Sequence, residues 1–282
     1  MSVQLSPTIG YHARRDGKSF AVKSLDLGPV AESVSPVLLF DDFHVLGHPF
    51  PPHPHAGFSA ITFVFEDSAG ALRSRDTLGH DLMVTPGGIC WGQSGRGMMH
   101  HEMSADPARE LHGVQLFVNL SAKNKLNPPD VLWLNGAEVP EWRNTTRDRV
   151  RVVVGTYEGV VSPLSPVDPF TLLDVDLREE ITFSLPEGHN ALAYVRDGSV
   201  TVGAENADRA LIGGQAVALS GRGRVSFRSL EPGRLLILSG AALHDPVVAE
   251  GPFVMNDVRQ IQDAMARFRA GEMGRLAPLA GE

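Results

Sequence analysis

The sequence predicts an all-β protein of two antiparallel domains, each a sandwich or small barrel, ending in one short α-helix. Three observations carry this. Apolar segments are short and separated by turn residues, and 29 glycines and 20 prolines punctuate the chain, as strands joined by tight turns require. The 282 residues exceed one small domain and suit two, each able to bury its own core. The order of strands and turns in the first half recurs in the second.

Composition narrows the class. Hydrophobic residues make up 43% and charged residues 21%, close to the average for folded domains. The net charge of -8 comes with no long basic run, which argues against direct nucleic-acid binding and leaves room for a protein partner. Cys90 is the single cysteine, so no intramolecular disulfide forms, as in a reducing compartment. Residues 1–15 lack a signal-peptide core, and no apolar run approaches the roughly 20 residues that span a bilayer. These features predict a soluble, cytoplasmic protein without membrane contact.

Taken in order, residues 11–30 alternate charge with Phe20, Val22, Leu25 and Leu27, which suits edge strands or an ordered arm. Residues 37–43 form a buried strand ending in Asp41 and Asp42, and residues 44–54 a loop rich in Gly, Pro and His. Residues 58–65 are apolar on both faces, as in a strand covered on both sides. Turns at 67–70 and 85–88 flank strands at 71–76 and 89–92, and a Gly-rich bend at 94–97 leads into 98–103. Residues 113–120 alternate Val114, Leu116, Val118 and Leu120 with Gln115, Phe117 and Asn119. From Asn127-Pro128-Pro129 to about Arg149 the chain is polar and reads as an interdomain connection. Residues 191–214 then repeat the order of 60–88. Ile261, Ala264, Met265 and Phe268 stand at helical spacing between a capping Asn256 or Asp257 and Gly271, predicting a helix over 257–270.

The chemistry concentrates in two short clusters, His53-Pro54-His55 and His100-His101-Glu102. Residues two apart on a strand share a face. His53 therefore points with His55, and His100 with Glu102, while His101 turns away. Two strands meeting face to face supply three imidazoles and a carboxylate, a plausible shell for a divalent transition metal. A bulge would present His101 in place of His100. His44, His48, His80 and His112 read as loop or supporting residues, Cys90, Met98 and Met103 as packing, and Met99 as packing or pocket lining. The second half holds only His189 and His244, so a second copy of the fold has lost the metal.

Several motifs extend this pattern: Leu39-Phe40-Asp41-Asp42-Phe43, His53-Pro54-His55 with Gly57-Phe58, Gly95-Arg96-Gly97 through Met103, Gln115 to Leu120, and Gly251 to Asn256. In this order they resemble the pirin family of the cupin superfamily. The resemblance implies a bicupin: two antiparallel β-barrels packed together, a metal-binding domain over 1–134 and a degenerate domain over 135–282 that includes the helix. It implies iron as the usual metal and His53, His55, His100 and Glu102 as ligands. Most cupins carry their glutamate shortly after His-x-His; Ser59 and Ala60 stand there, which favours Glu102. Pro52 and Ala56 depart from the Asp and Arg common in pirins, as does His101 from a small or polar residue, and these bear on the substrate more than on the metal.

Three neutral imidazoles and one carboxylate leave Fe(II) a net charge of +1 and open positions for dioxygen or a chelating substrate. The expected function is a quercetin 2,3-dioxygenase-type enzyme acting on a flavonol or similar enolic aromatic, with Glu102 as the proton acceptor. The alternative is an iron-dependent redox-sensing regulatory protein, in which oxidation to Fe(III) changes a partner surface. Ni(II), Cu(II), Mn(II) and Zn(II) accept similar ligands.

Overall fold

The structure, a computed structural model, describes residues 2–205, 207–277 and 279. It is built of strands, with the helix Val258–Arg269 and the single turn Ala31–Val34 as its α-helices. Two compact units divide the chain. The first holds Ala13–Val22, Leu39–Glu138 and His244–Glu282; the second holds Met1–His12, Lys23–Leu38 and Val139–Leu243. Each compact unit draws on both halves of the sequence; residues 1 and 282 themselves lie outside the described residues.

The helix accounts for part of that exchange. Its buried Ile261 and Ala264 pack with Ala56, Phe253, Met255 and Met273 in one cluster, so the apolar stripe is buried in the first unit. Asp257 accepts a hydrogen bond from the Gln260 backbone N–H at 2.8 Å, and Gly271 takes the left-handed conformation beyond the end. Cap and stop fall where the sequence places them.

A seven-stranded sheet runs Asp130–Leu134, Ile89–Gln93, Phe58–Val64, Leu111–Asn119, Val37–Val45, Phe20–Leu25, Tyr11–Asp16. A four-stranded sheet runs His53–His55, Met98–Ser104, Leu72–Asp76, Asp81–Val84. All pairings are antiparallel between these strands where register is given. Every residue of Phe58–Val64 is buried, as its two apolar faces predict.

The second unit repeats this pairing. Phe58–Val64 lies between Ile89–Gln93 and Leu111–Asn119; the start of His189–Ala204 lies between Ala216–Ser220 and the end of Gly223–Ala241. Leu72–Asp76 lies between Asp81–Val84 and Met98–Ser104; the end of His189–Ala204 lies between Ala207–Ile212 and the start of Gly223–Ala241. What the first unit breaks into separate strands the second runs as long strands with register shifts at Val195, Asp197 and Ser199.

The polar stretch expected to connect the domains contains two edge strands. Asp130–Leu134 pairs with Ile89–Gln93 in the first unit, burying Val131 and Leu134 while Trp133 stays exposed. Glu141–Arg143 pairs with Arg149–Val154 in the second. An edge strand needs only one apolar face, so such segments look polar in sequence. No helix among the described residues is long and apolar enough to cross a membrane.

Candidate metal centre

The two histidine clusters meet as neighbours in one sheet, not face to face. His53–His55 runs antiparallel to Met98–Ser104, with His53 directly opposite His100 and His55 opposite Met98. Opposed residues of an antiparallel pair share a face with Cβ atoms about 5 Å apart, so a single pairing gathers all three imidazoles. Their ring centroids form a nearly equilateral triangle with sides of 4.8 Å (His53 to His55), 4.6 Å (His53 to His100) and 4.7 Å (His55 to His100). One donor atom from each lies within 4.8 Å of the others.

Protonation favours ligation. His53 Nδ1 lies 2.9 Å from the Pro51 carbonyl, which accepts its proton and leaves the Nε2 lone pair facing inward. His53 Nε2 and His100 Nε2 are 3.0 Å apart, the spacing of adjacent octahedral ligands at about 2.1 Å from one ion. Burial, then the neighbouring His53, pulls His55 down to about 3. Burial, then His55, His53 and His101, holds His100 well below the usual histidine range. His55 and His100 are therefore neutral near pH 7, and the site fits a divalent transition metal.

Glu102 lines the same cavity, but its oxygens are not among the donor atoms grouped within 4.8 Å. Thr62 Oγ1 donates to Glu102 Oε2 at 2.5 Å and Ser74 Oγ approaches Oε1 at 3.4 Å. Burial nevertheless lifts Glu102 to about 7, outweighing the hydrogen bonds that favour the ionised form. Gln115 donates its Nε2 to the Ile61 carbonyl at 3.0 Å, which turns its Oε1 towards Thr62 Oγ1 at 3.1 Å. The hydroxyl has one proton for two acceptors, and the shorter contact goes to Glu102.

The cavity above these groups measures about 170 Å³ and is walled by Phe43, Val45, Leu72, Leu111 and Phe117 among others. Phe50 and Phe20 meet edge to face there at 5.1 Å, with Phe50 40% exposed. The polar lining, besides the three histidines and Glu102, is Asp41, Thr62 and Gln115.

His101 is buried and does not line the cavity; the ladder to Leu72–Asp76 is continuous through His100, His101 and Glu102, so no bulge swaps the register. His80 pairs with Asp76 at 2.8 Å. His112 pairs with Asp42 at 3.0 Å and His44 with Glu110 at 2.9 Å. Asp42, His44 and His112 also bring donor atoms within 4.8 Å, but the two rings stack at 3.9 Å and 13°. In-plane lone pairs on stacked rings run parallel and do not converge. Cys90 is buried and its thiol is pushed up by burial and by Glu102, as an inert core residue. Met103, not Met99, lines the cavity.

The second unit has no such centre among its described residues. On Glu180–Leu185, Ile181 stands opposite Phe227 and Phe183 opposite Val225, all buried in one apolar core. These opposed pairs bring hydrocarbon together, where the opposed pair His53 and His100 brings imidazoles together in the first unit.

Residues 11–118 match the family model for pirin, and residues 172–274 match that for the pirin C-terminal cupin domain. Over 274 residues the chain is 33% identical to a Pseudomonas aeruginosa protein provisionally named quercetin 2,3-dioxygenase, covering 92% of this chain and 94% of that one. The chain belongs to the pirin family. Rat pirin is 33% identical over 257 residues, covering 88% of this chain and 85% of its own. The crystal structure of a quercetin 2,3-dioxygenase from Acinetobacter baumannii superposes with a TM-score of 0.84 at 26% identity, covering 97% and 99% of the two chains.

This pirin therefore has two cupin domains, with the three-histidine site in the first. Sequence reasoning missed Thr62, Gln115, Phe43 and Phe117 as site residues. A signal was present for two of them: Gln115 and Phe117 share a face in the alternation of 113–120, and that face lines the cavity. Thr62 gave none, because it sits in a wholly buried strand whose hydrophobic pattern distinguishes no face.

Proposed function

We propose that this pirin is a metal-dependent dioxygenase that opens an enolic aromatic ring, with Fe(II) held by His53, His55, His100 and Glu102 and a flavonol such as quercetin as substrate. The observation that carries the reading is the convergence of three imidazoles, beside a buried carboxylate, on a cavity walled by aromatic residues. The names of the Pseudomonas and Acinetobacter relatives support it. Ni(II), Cu(II), Mn(II) and Zn(II) suit the same donors, since affinity order alone does not select iron.

Bound Fe(II) supplies the electron transfer that lets a singlet aromatic react with dioxygen. The chain supplies the rest. Glu102, the carboxylate that lines the cavity, takes the enol proton. Phe43 and Phe117 pack against the aromatic faces. Phe20 and Phe50 limit water at the mouth, which strengthens the electrostatics of the site. A small aromatic and O2 are then the partners of the reaction.

The test is oxygen uptake by protein reconstituted anaerobically with Fe(II) and offered quercetin, with His55→Ala as control. Uptake matching flavonol loss, absent in the control, supports the proposal. No uptake by fully loaded protein overturns it and directs attention to capture of a protein partner in the ferrous and ferric states.

A further inference from the structure

The second unit carries an arginine-lined concavity that the dioxygenase reading does not use. Arg143, Arg147, Arg149, Arg178 and Asp176 enclose about 510 Å³. The protein has a net charge of -8, yet four guanidiniums meet here without a lysine among them. Two are matched within the concavity's surroundings. Arg149 pairs with Asp176, with Nε to Oδ2 at 2.8 Å, and reaches Glu141 at 3.1 Å. Arg143 also reaches Glu141, at 2.8 Å. Arg147 and Arg178 have no ion pair or side-chain hydrogen bond among the described residues.

Both are exposed, but the backbone that carries them is fixed. Asp148 is fully buried and its carboxylate ties two turns together. One oxygen accepts the backbone N–H groups of Arg178 and Glu179 at 2.6 and 2.9 Å, and the other accepts Asn144 Nδ2 and Thr146 Oγ1, both at 2.8 Å. The clamp places Arg147 and Arg178 on facing turns. Arg147 itself sits at φ +69°, a conformation uncommon outside glycine, asparagine and aspartate, of the kind that persists where surrounding contacts over-determine it.

We propose that this concavity is an anion site for a phosphate group. Two uncompensated guanidiniums match a phosphate, which carries a charge of about -1.5 to -2 at neutral pH, and arginine forks suit its oxygens in a bidentate manner. Asp176 is the built-in competitor, because it occupies the Arg149 fork that an anion approaching the same concavity would engage. The site is independent of the metal centre, so the second cupin domain has a binding role of its own.

The experiment is calorimetric titration of the intact protein at low ionic strength with two probes, inorganic phosphate and phenyl phosphate. Saturable binding is expected, weakened by added salt. Arg147→Gln combined with Arg178→Gln should weaken it at least tenfold, and Asp176→Asn should tighten it. The opposite signs separate a binding role from loss of folding, which cannot improve affinity. Equal affinity for both probes assigns phosphate itself, and preference for phenyl phosphate assigns an organic ester; both support the site. No saturable binding of either probe, or unchanged affinity in the double variant, overturns it. His55→Ala should leave the titration unchanged.

Discussion

Thr62 Oγ1 lies 2.5 Å from Glu102 Oε2, much closer than Ser74 Oγ, which is 3.4 Å from Oε1. It opposes the burial that lifts Glu102 to about 7. Thr62→Val removes the donor and keeps the volume, so the carboxyl should rise further. In the metal-free protein, infrared titration of the Glu102 carboxyl should show its midpoint moved upward by about one unit. A midpoint unchanged from the parent shows that the Thr62 hydroxyl does not favour the ionised form.

Glu102 also sets a pH dependence of stability in the metal-free protein. Its folded value of about 7 exceeds the ordinary 4.5, so the folded state binds the proton more tightly than the unfolded chain. Relative to Glu102→Gln, the parent's extra stability is full below about pH 4.5 and is lost as pH rises to about 7, a swing of about 3 kcal/mol at most. Urea melts of both proteins across that window measure the difference. Parallel curves at all pH values contradict it.

Metal retention should depend on the histidine triangle. His55→Ala or His100→Ala removes one of three converging donors, and affinity should fall more than about 100-fold, beyond the loss typical of supporting residues. His101→Ala should retain metal, since His101 lies outside the cavity. Metal content by elemental analysis after dialysis against a weak chelator distinguishes the two outcomes.

Lys125 is a structural cation. Its ammonium, buried at 1% exposure, donates to the carbonyls of Gly57 at 2.8 Å and Val254 at 3.1 Å and to Asn119 Oδ1 at 2.5 Å. Lys125→Met keeps the stem and abandons those acceptors, at a cost of about 3–5 kcal/mol. A denaturant midpoint that does not move would show that water replaces the ammonium.

Asp148 is held below the usual carboxylate range: desolvation raises it, but the bonds from Glu179, Arg178, Asn144 and Thr146 together outweigh that. The folded form therefore prefers the ionised group. Its stabilisation is present above the ordinary value of 3.8 and is lost as pH falls through the lowered one. Asp148→Ala should destabilise the protein by about 2–4 kcal/mol at pH 7, with the gap narrowing towards pH 3. Thermal melts at the two pH values give the check.

The sequence by itself determined the elements and the two short histidine clusters that the fold brings together. Turn residues and short apolar runs marked the strands, period and capping marked the helix, and two-residue spacing put His53 with His55 and His100 with Glu102. These are local properties, set by neighbours a few residues away. The tertiary structure decided what depends on register and on which chain ends pack together. Pairing His53 with His100 in one sheet made the imidazole triangle, which parity could not distinguish from a face-to-face meeting. Burial set the protonation of His55, His100 and Glu102, and burial is a property of the whole fold. Packing of Ile261 and Ala264 beside Ala56 and Phe253 assigned the helix to the first unit, because an amphipathic stripe specifies that it must be covered but not by what.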